Sequence, residues 1–359
     1  MLFYYFIFIL IFSSLFVSQN INVSKKILLW VIAIILILVA GLRPPGVDSD
    51  SRTYIDVFNK FDSPLSYFKD YSVNSFFEPA YYLIPSIVTI NFGLNYLWVF
   101  LIFAILGISL KFIAICRLTD FAFLSVLVYY SHFFILHDMT QIRAGVASAI
   151  LLLCIPEIQS RNFLRFLFLI GIGSLFHYSI IIFLPIYFLS AKQINKKLYL
   201  PLLFVPYILH FLKFNIISVL QIFKLGFISD KIQLYNDLLE SDIFGGINIF
   251  NILFLVQLIS CTIFIIKSDL LIKNNKYSLL LLKIYCIAAA SFVLFSNIPV
   301  IAFRVSELLG IVQIILMPFL LYIIKPKYVA LAMVVIFALI SISNDLIHVG
   351  LLSPYFAVL

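Results

Sequence analysis

The stretch "ILLWVIAIILILVAGLRPPGVDSDSRTYIDVFNKFD", residues 27–62, decides the fold. Residues 27–41 carry no polar side chain; then Arg43-Pro44-Pro45 ends the run, and Arg43, Asp48, Asp50, Arg52, Asp56, Lys60 and Asp62 crowd the residues that follow. At about 1.5 Å per residue, a helix of that length covers most of a hydrocarbon core of roughly 30 Å. The charges mark where the chain leaves the apolar phase.

Working outward, the alternation recurs to the C-terminus. The chain is 64% hydrophobic and 11% charged, where a soluble domain carries about 25% charge, so it reads as an all-α polytopic membrane protein. Apolar runs predict about twelve transmembrane helices, at 2–17, 27–41, 95–115, 121–136, 142–156, 162–176, 177–190, 198–212, 247–266, 278–298, 303–323 and 328–344. The first run lacks the basic lead and cleavage site of a secretory signal and reads as a retained span. The apolar piece 79–90 is short and reads as a surface or re-entrant helix. The whole of 1–359 is one integral membrane domain with two long outer loops, 42–94 and 213–246.

Charge supports that layout. One side collects Lys25, Lys26, Lys111, Arg117 and eleven further basic residues against Asp120, Glu157 and Asp269, for a net +12 that the positive-inside rule assigns to the cytoplasm. The other side nets −4, and the two add to the chain's +8. Both termini are then expected outside. Scattered basic residues of this kind are topology signals and argue against nucleic acid. The four cysteines lie far apart without CxxC spacing, which signals neither a disulfide framework nor zinc. No HExxH, Walker loop or GxGxxG is present, so no metal, cofactor or nucleotide is expected.

The candidate chemistry gathers on the outer side. Ionisable residues near the hydrocarbon edge cost a few kcal/mol, so those that persist usually face protein, water or ligand. Arg43, Arg143 and Arg304 lie at outer helix ends, with Arg52 close by, and guanidinium forks match phosphate oxygens. Anchoring to headgroups or to an acidic neighbour is the alternative for each. Arg143 precedes the small residues Ala144, Gly145, Ala147 and Ser148, which allow close packing or close ligand approach. Asp48 and Asp50 follow the turn-prone Pro44-Pro45-Gly46, and either serves as base or as helix cap. Glu78, in "FFEPAYY", has aromatic sequence neighbours that would raise its pKa and suit proton transfer, or it simply precedes a helix at Pro79. His177, in "SLFHYSIIIFLP", is a second candidate base or a structural histidine. His137, His210 and His348 carry weaker signals.

These stretches, in this order, resemble the EpsG-like, Wzy-type repeat-unit polymerases of capsule, exopolysaccharide and O-antigen synthesis. "GLRPPGVDSDSRTYIDVF", "FFEPAYYLI", "QIRAGVASAI", "LFHYSIIIFLP" and "AFRVSELL" carry the resemblance over most of the chain. A second aspartate, Asp50, follows Gly46-Val47-Asp48 where the family has one Gly-x-Asp, so either Asp48 or Asp50 stands for the family's aspartate, and Ala80 stands where glycine is commoner. The resemblance implies glycosyl transfer between undecaprenyl-pyrophosphate-linked oligosaccharides on the outer face of the bacterial cytoplasmic membrane, without metal or nucleotide. It implies catalysis by Glu78, Asp48, Asp50 or His177 and pyrophosphate binding by Arg43, Arg52, Arg143 and Arg304. Lipid-linked oligosaccharide and membrane lipid would be its partners, with a chain-length regulator and a flippase alongside. The loop 213–246, with Tyr235, Asp237, Glu240 and Asp242, would cover the sugars. Two other readings share parts of the pattern: an O-antigen ligase, which differs in its acceptor, and a flippase of the same lipid, which would need charges reaching both faces.

Overall fold

The structure, a computed structural model, describes residues 1–20, 24–69, 77–214 and 247–356. In chain order its principal helices are α1 (Leu2–Asn20), α2 (Lys25–Gly41), α3 (Ser51–Phe58), α4 (Pro79–Ser86), α5 (Tyr96–Leu118), α6 (Ala122–Tyr129), α7 (Ile142–Gln159), α8 (Phe163–Phe176), α9 (Lys196–Phe211), α10 (Ile252–Ile266), α11 (Ser268–Asn274), α12 (Ser278–Leu294), α13 (Pro299–Gly310) and α14 (Lys327–Ser343). The described residues contain no strand, only one isolated antiparallel bridge between Asp48 and Leu352.

Helix occupies most of each apolar stretch predicted to span. Four helices are long and apolar enough to cross a membrane on their own, Tyr96–Leu118, Ala122–Thr140, Ile142–Gln159 and Lys327–His348, and up to six if two bent helix pairs each count as one span. The twelve-span expectation therefore meets a smaller number by this measure. Several of the other apolar helices run 10–17 residues, too short to cross roughly 30 Å unaided.

Two compact units divide the chain: residues 1–188 with 313–359, and 189–312. In the first, α2 and α5 run antiparallel. Gly41 meets Leu101, where an added Cβ would lie 2.8 Å from the Leu101 Cα, and Trp30 faces Phe112 with ring centres 6.4 Å apart. Three helical stretches are π-wound: Ile87–Asn91, Tyr130–Thr140 continuing α6, and Asn344–His348 continuing α14. The last two carry His132, His137, Asp138 and Asp345, in keeping with the tendency of π-turns to mark functional positions. The division expected at 176/177 is real: α8 stops at His177 and Tyr178–Phe188 follows as a 3₁₀ helix.

The described segment from α3 to the start of α5 in the first unit is organised around aromatic rings. Tyr54, Phe58, Phe61, Phe77, Tyr81, Tyr82 and Phe100 touch edge-on or tilted, which gives α3 and α4 a core of their own. The C-terminal segment closes over this loop. Ser353 N–H donates to the Val47 carbonyl at 2.7 Å, and the Tyr4 and Tyr355 hydroxyls donate to the carbonyls of Ser353 and Val39. Residues near both ends of the described chain thus lie on the same side as Asp48.

In the second unit, Ile249, Phe292, Val293 and Ala302 form a small core among the start of α10, α12 and α13. Lys283 reaches the carbonyls of Ser190 and Gln193, and Lys196 pairs with Asp269 at 3.4 Å. All four cysteines are free thiols, three of them buried and Cys116 exposed.

Candidate active site

Pro79 opens α4 at a position where a missing N–H costs nothing, and Glu78 precedes it in extended conformation. The Glu78 carboxylate makes no capping bond. Its Oε2 accepts from Arg143 Nη1 at 2.7 Å and its Oε1 lies 2.9 Å from His177 Nδ1. Arg143 comes from the first turn of α7, and His177 is where α8 ends. Three motifs widely separated in sequence therefore meet at one carboxylate.

The sequence neighbours of Glu78 predict a raised pKa, and here the structure differs. Burial does push the carboxyl up, but the hydrogen bond from His177 and the charge of Arg143 outweigh it and hold the group at about 2. The surroundings in space are basic where the surroundings in sequence are aromatic. The aromatic residues act on the arginine: the Tyr81 ring lies 4.4 Å beneath the Arg143 guanidinium, and the Tyr54 phenol lies within its electrostatic reach. The Arg143 side chain keeps 29% of its surface exposed while that of Glu78 keeps 6%, so the cation is the part of this cluster open to a ligand. Tyr54 and Tyr81 sit at the aromatic positions of the quoted motifs, and no role was assigned to them from sequence.

The two aspartates separate by environment. Pro44–Val47 forms a turn closed by Val47 N–H to the Pro44 carbonyl, with Gly46 at φ +90 where the type II geometry requires glycine. Asp48 comes out of that turn buried. Its Oδ2 takes Arg43 Nε at 2.7 Å, and its Oδ1 accepts the backbone N–H groups of Asp50 and Ser51, which starts α3. Arg43 is fully buried, with its guanidinium 4.4 Å from the Phe100 ring centre and donating also to the Ala40 carbonyl. These two candidates spend their charges on each other. Asp50 makes no capping bond, is half-buried and takes a hydrogen bond from Ser49. Burial raises its carboxyl above the ordinary value; the Ser49 hydrogen bond pulls it down, Asp48 pushes it up further, and Arg143 and Arg43 lower it.

A buried ion pair missed in the sequence lies beside the first turns of α7. Lys111 Nζ sits 2.8 Å from both carboxylate oxygens of Asp138 and donates to the Gly145 carbonyl, and the Tyr129 hydroxyl donates to Asp138 at 2.6 Å. Glycine makes room for it: a Cβ at Gly107 would fall 2.5 Å from Asp138 Oδ1, and one at Gly145 3.0 Å. The small residues after Arg143 thus serve helix packing at Gly145. The charge count put Lys111 and Asp138 on opposite sides of the membrane, which this contact corrects. Since the two charges cancel, the asymmetry becomes +11 against −3 and keeps its sign. A second pair, His132 Nδ1 to Asp345 Oδ2 at 2.7 Å, joins two π-wound segments, where the sequence had grouped Asp345 with His348.

Arg52 is exposed, its guanidinium lying over Gly46. Arg304 is exposed on α13 in the second unit, three residues before Glu307. His137 is buried beside Phe133, and His210 bonds Ser296. The expected lid residues Tyr235, Asp237, Glu240 and Asp242 lie outside the described residues. Among the described residues no group of three or more His, Cys, Asp or Glu is placed to hold a metal ion.

Fold and site together define an integral membrane protein, all-helical where described, with a carboxylate, a guanidinium and an imidazole locked together at the edge of its spans. The chain belongs to the EpsG family, which it matches over residues 26–356. It is also similar to "Amylovoran biosynthesis protein AmsC" of Erwinia amylovora, at 25% identity over 298 residues, 80% of this chain and 76% of that protein. No solved structure is significantly similar.

Proposed function

We propose that this protein polymerises lipid-linked oligosaccharide repeat units during exopolysaccharide synthesis, on the outer face of a bacterial cytoplasmic membrane. The observation that carries the reading is the convergence of Glu78, Arg143 and His177, with Asp50 in the field of the same arginine. Family membership and the relative in amylovoran biosynthesis support it.

In this reading an acceptor sugar hydroxyl attacks the anomeric carbon of the growing glycan. The new C–O bond forms as the bond to undecaprenyl pyrophosphate breaks, and the pyrophosphate leaves with the electron pair. Arg143, partly exposed and already aimed by Glu78 and Tyr81, receives the developing phosphate charge. Arg52 is its proposed companion, Arg43 holds the loop, and Arg304, in the second unit, is proposed separately as a pyrophosphate ligand. Asp50, with its raised pKa, takes the hydroxyl proton. Glu78 holds Arg143 and His177 in register, since a carboxyl near 2 is a weak base at neutral pH.

The twelve apolar stretches are the proposed spans, the short ones shielded by neighbours. Arg117 with Glu157 and Lys196 with Asp269 each join residues that the charge count puts on one side. The test is purified protein with a synthetic lipid-pyrophosphate repeat unit, read as a ladder of products. Arg143→Ala is expected to lower extension by about 100-fold or more, the scale of losing one transition-state donor, at unchanged protein level. Movement of the lipid across a bilayer without a ladder would replace this reading by a flippase.

A further inference from the structure

A groove outside the Glu78 cluster that carries its own chemistry lies between the Lys25 end of α2 and the Leu118 end of α5. It has a volume of about 380 Å³ and is lined by Lys26, Leu29, Trp30, Phe112, Ile113, Cys116 and Arg117. Seventeen residues of α5 separate Phe100, against Arg43, from Arg117, which at 1.5 Å per residue is roughly 25 Å. The groove is therefore at the far end of α5 from the Arg43–Asp48 pair.

Its lining is layered. Lys26 is the second residue of α2 and Arg117 the last but one of α5, and because the helices are antiparallel the two cations stand at one level. One helical turn deeper on each helix come Trp30 and Ile113, with Phe112 beside them. The Lys26, Trp30, Ile113 and Cys116 side chains are exposed, and Arg117 is half exposed even though one of its nitrogens contacts Glu157 at 3.3 Å. Cations above and aromatic and aliphatic carbon below is the charge and polarity profile of one anionic lipid, headgroup phosphate outward and acyl chain inward.

We infer that this groove binds an anionic diacyl phospholipid, its phosphate between Lys26 and Arg117 and one acyl chain along Trp30, Phe112 and Ile113. Each cation near a phosphate is worth about fivefold in lipid affinity. A neutral zwitterionic lipid of the same chains gains little of that.

The chain holds two tryptophans, Trp30 in the groove and Trp98 near the opposite end of α5, so fluorescence reads the site directly. In the Trp98→Phe variant, in vesicles of mixed phosphatidylcholine and phosphatidylglycerol, bromine on the phosphatidylglycerol chains should quench Trp30 severalfold more effectively than bromine on phosphatidylcholine. In Trp30→Phe, the remaining Trp98 should show no such preference. Lys26→Gln, at an exposed position, should lower the Trp30 preference to what one cation supplies, and adding Arg117→Gln should abolish it. Equal quenching of Trp30 by the two lipids overturns the inference. So does a preference that survives both substitutions, or displacement of the brominated lipid by undecaprenyl pyrophosphate at a lower mole fraction than unlabelled phosphatidylglycerol needs.

Discussion

Asp48 and Asp50 are two residues apart and have different tasks. Asp48 accepts the two backbone N–H groups at α3's start and is the buried anion paired with Arg43 among the described residues, so Asp48→Ala removes that counter-charge from a buried guanidinium. Loss of one partner of a buried pair costs about 3–5 kcal/mol, and the variant is expected to show low yield and a depressed unfolding temperature. Asp50→Asn should keep the fold and lose chain extension. Unchanged extension in Asp50→Asn would remove it as the base. The sequence left these two equivalent, because which one caps depends on where the Gly46 turn aims the chain. Glu78 is a similar case, its environment made by residues 65 and 99 positions away. Its depressed pKa has a signed consequence. The ionised carboxylate stabilises the fold fully above its unfolded value near 4.5 and loses that contribution as pH falls towards 2, in total about 3 kcal/mol. Compared with Glu78→Gln, the parent should unfold at higher temperature at pH 7, with the gap closing below about pH 4.5. Asp50, with its pKa raised, shifts stability the opposite way but is common to both proteins and cancels in the comparison. A gap that is the same at pH 7 and pH 3 would mean Glu78 is not held as a carboxylate.

At the scale of elements, apolar run length predicted helices well and helix type poorly. The break between α8 and the 3₁₀ segment falls at His177, as the polar interruption indicated. Nothing in the residue pattern announced that 130–140 winds as a π-helix, since its polar residues find partners far off in sequence: Asp138 meets Lys111 on α5, and His132 meets Asp345 in the π-wound segment that follows α14. For the same reason Lys111 read as a loop cation. Hydropathy registers a lysine near a helix end and is blind to an aspartate 27 residues on that meets it in the interior. The Gly107–Gly145 crossing allows that meeting, and it sets the first turns of the helix that carries Arg143. Lys111→Met should strand the Asp138 carboxylate with Tyr129 alone, at about 3–5 kcal/mol. Restoring neutrality with Asp138→Asn in the same protein should recover much of that loss. Thermal unfolding in detergent measures both. Two losses that simply add would show that the residues act independently, against the contact described.

For the molecule as a whole, the expected sidedness of charge rests on many loops, none of which decides alone, so the correction at Lys111 does not reverse the expectation. The structure adds a constraint that charge counting does not contain. Tyr4, Ser353 and Tyr355 are tied to Val39, Val47 and the turn before Asp48, so whichever side holds the Asp48 loop holds the segments near both chain ends. If that side is the outer one, as proposed for a reaction on exported lipid-linked sugars, single cysteines will report it. In a protein with its four native cysteines replaced, Phe356→Cys and Ser49→Cys, both at exposed positions, should react with a membrane-impermeant maleimide in intact cells. Lys192→Cys, on the basic side, should react only after the membrane is permeabilised. Labelling of Ser49→Cys but not Phe356→Cys would break the strap between loop and C-terminal segment, whereas labelling of Lys192→Cys alone in intact cells would invert the orientation. In that second outcome the Arg143 cluster would face the cytoplasm, and the proposed reaction on the outer face would fail with the topology.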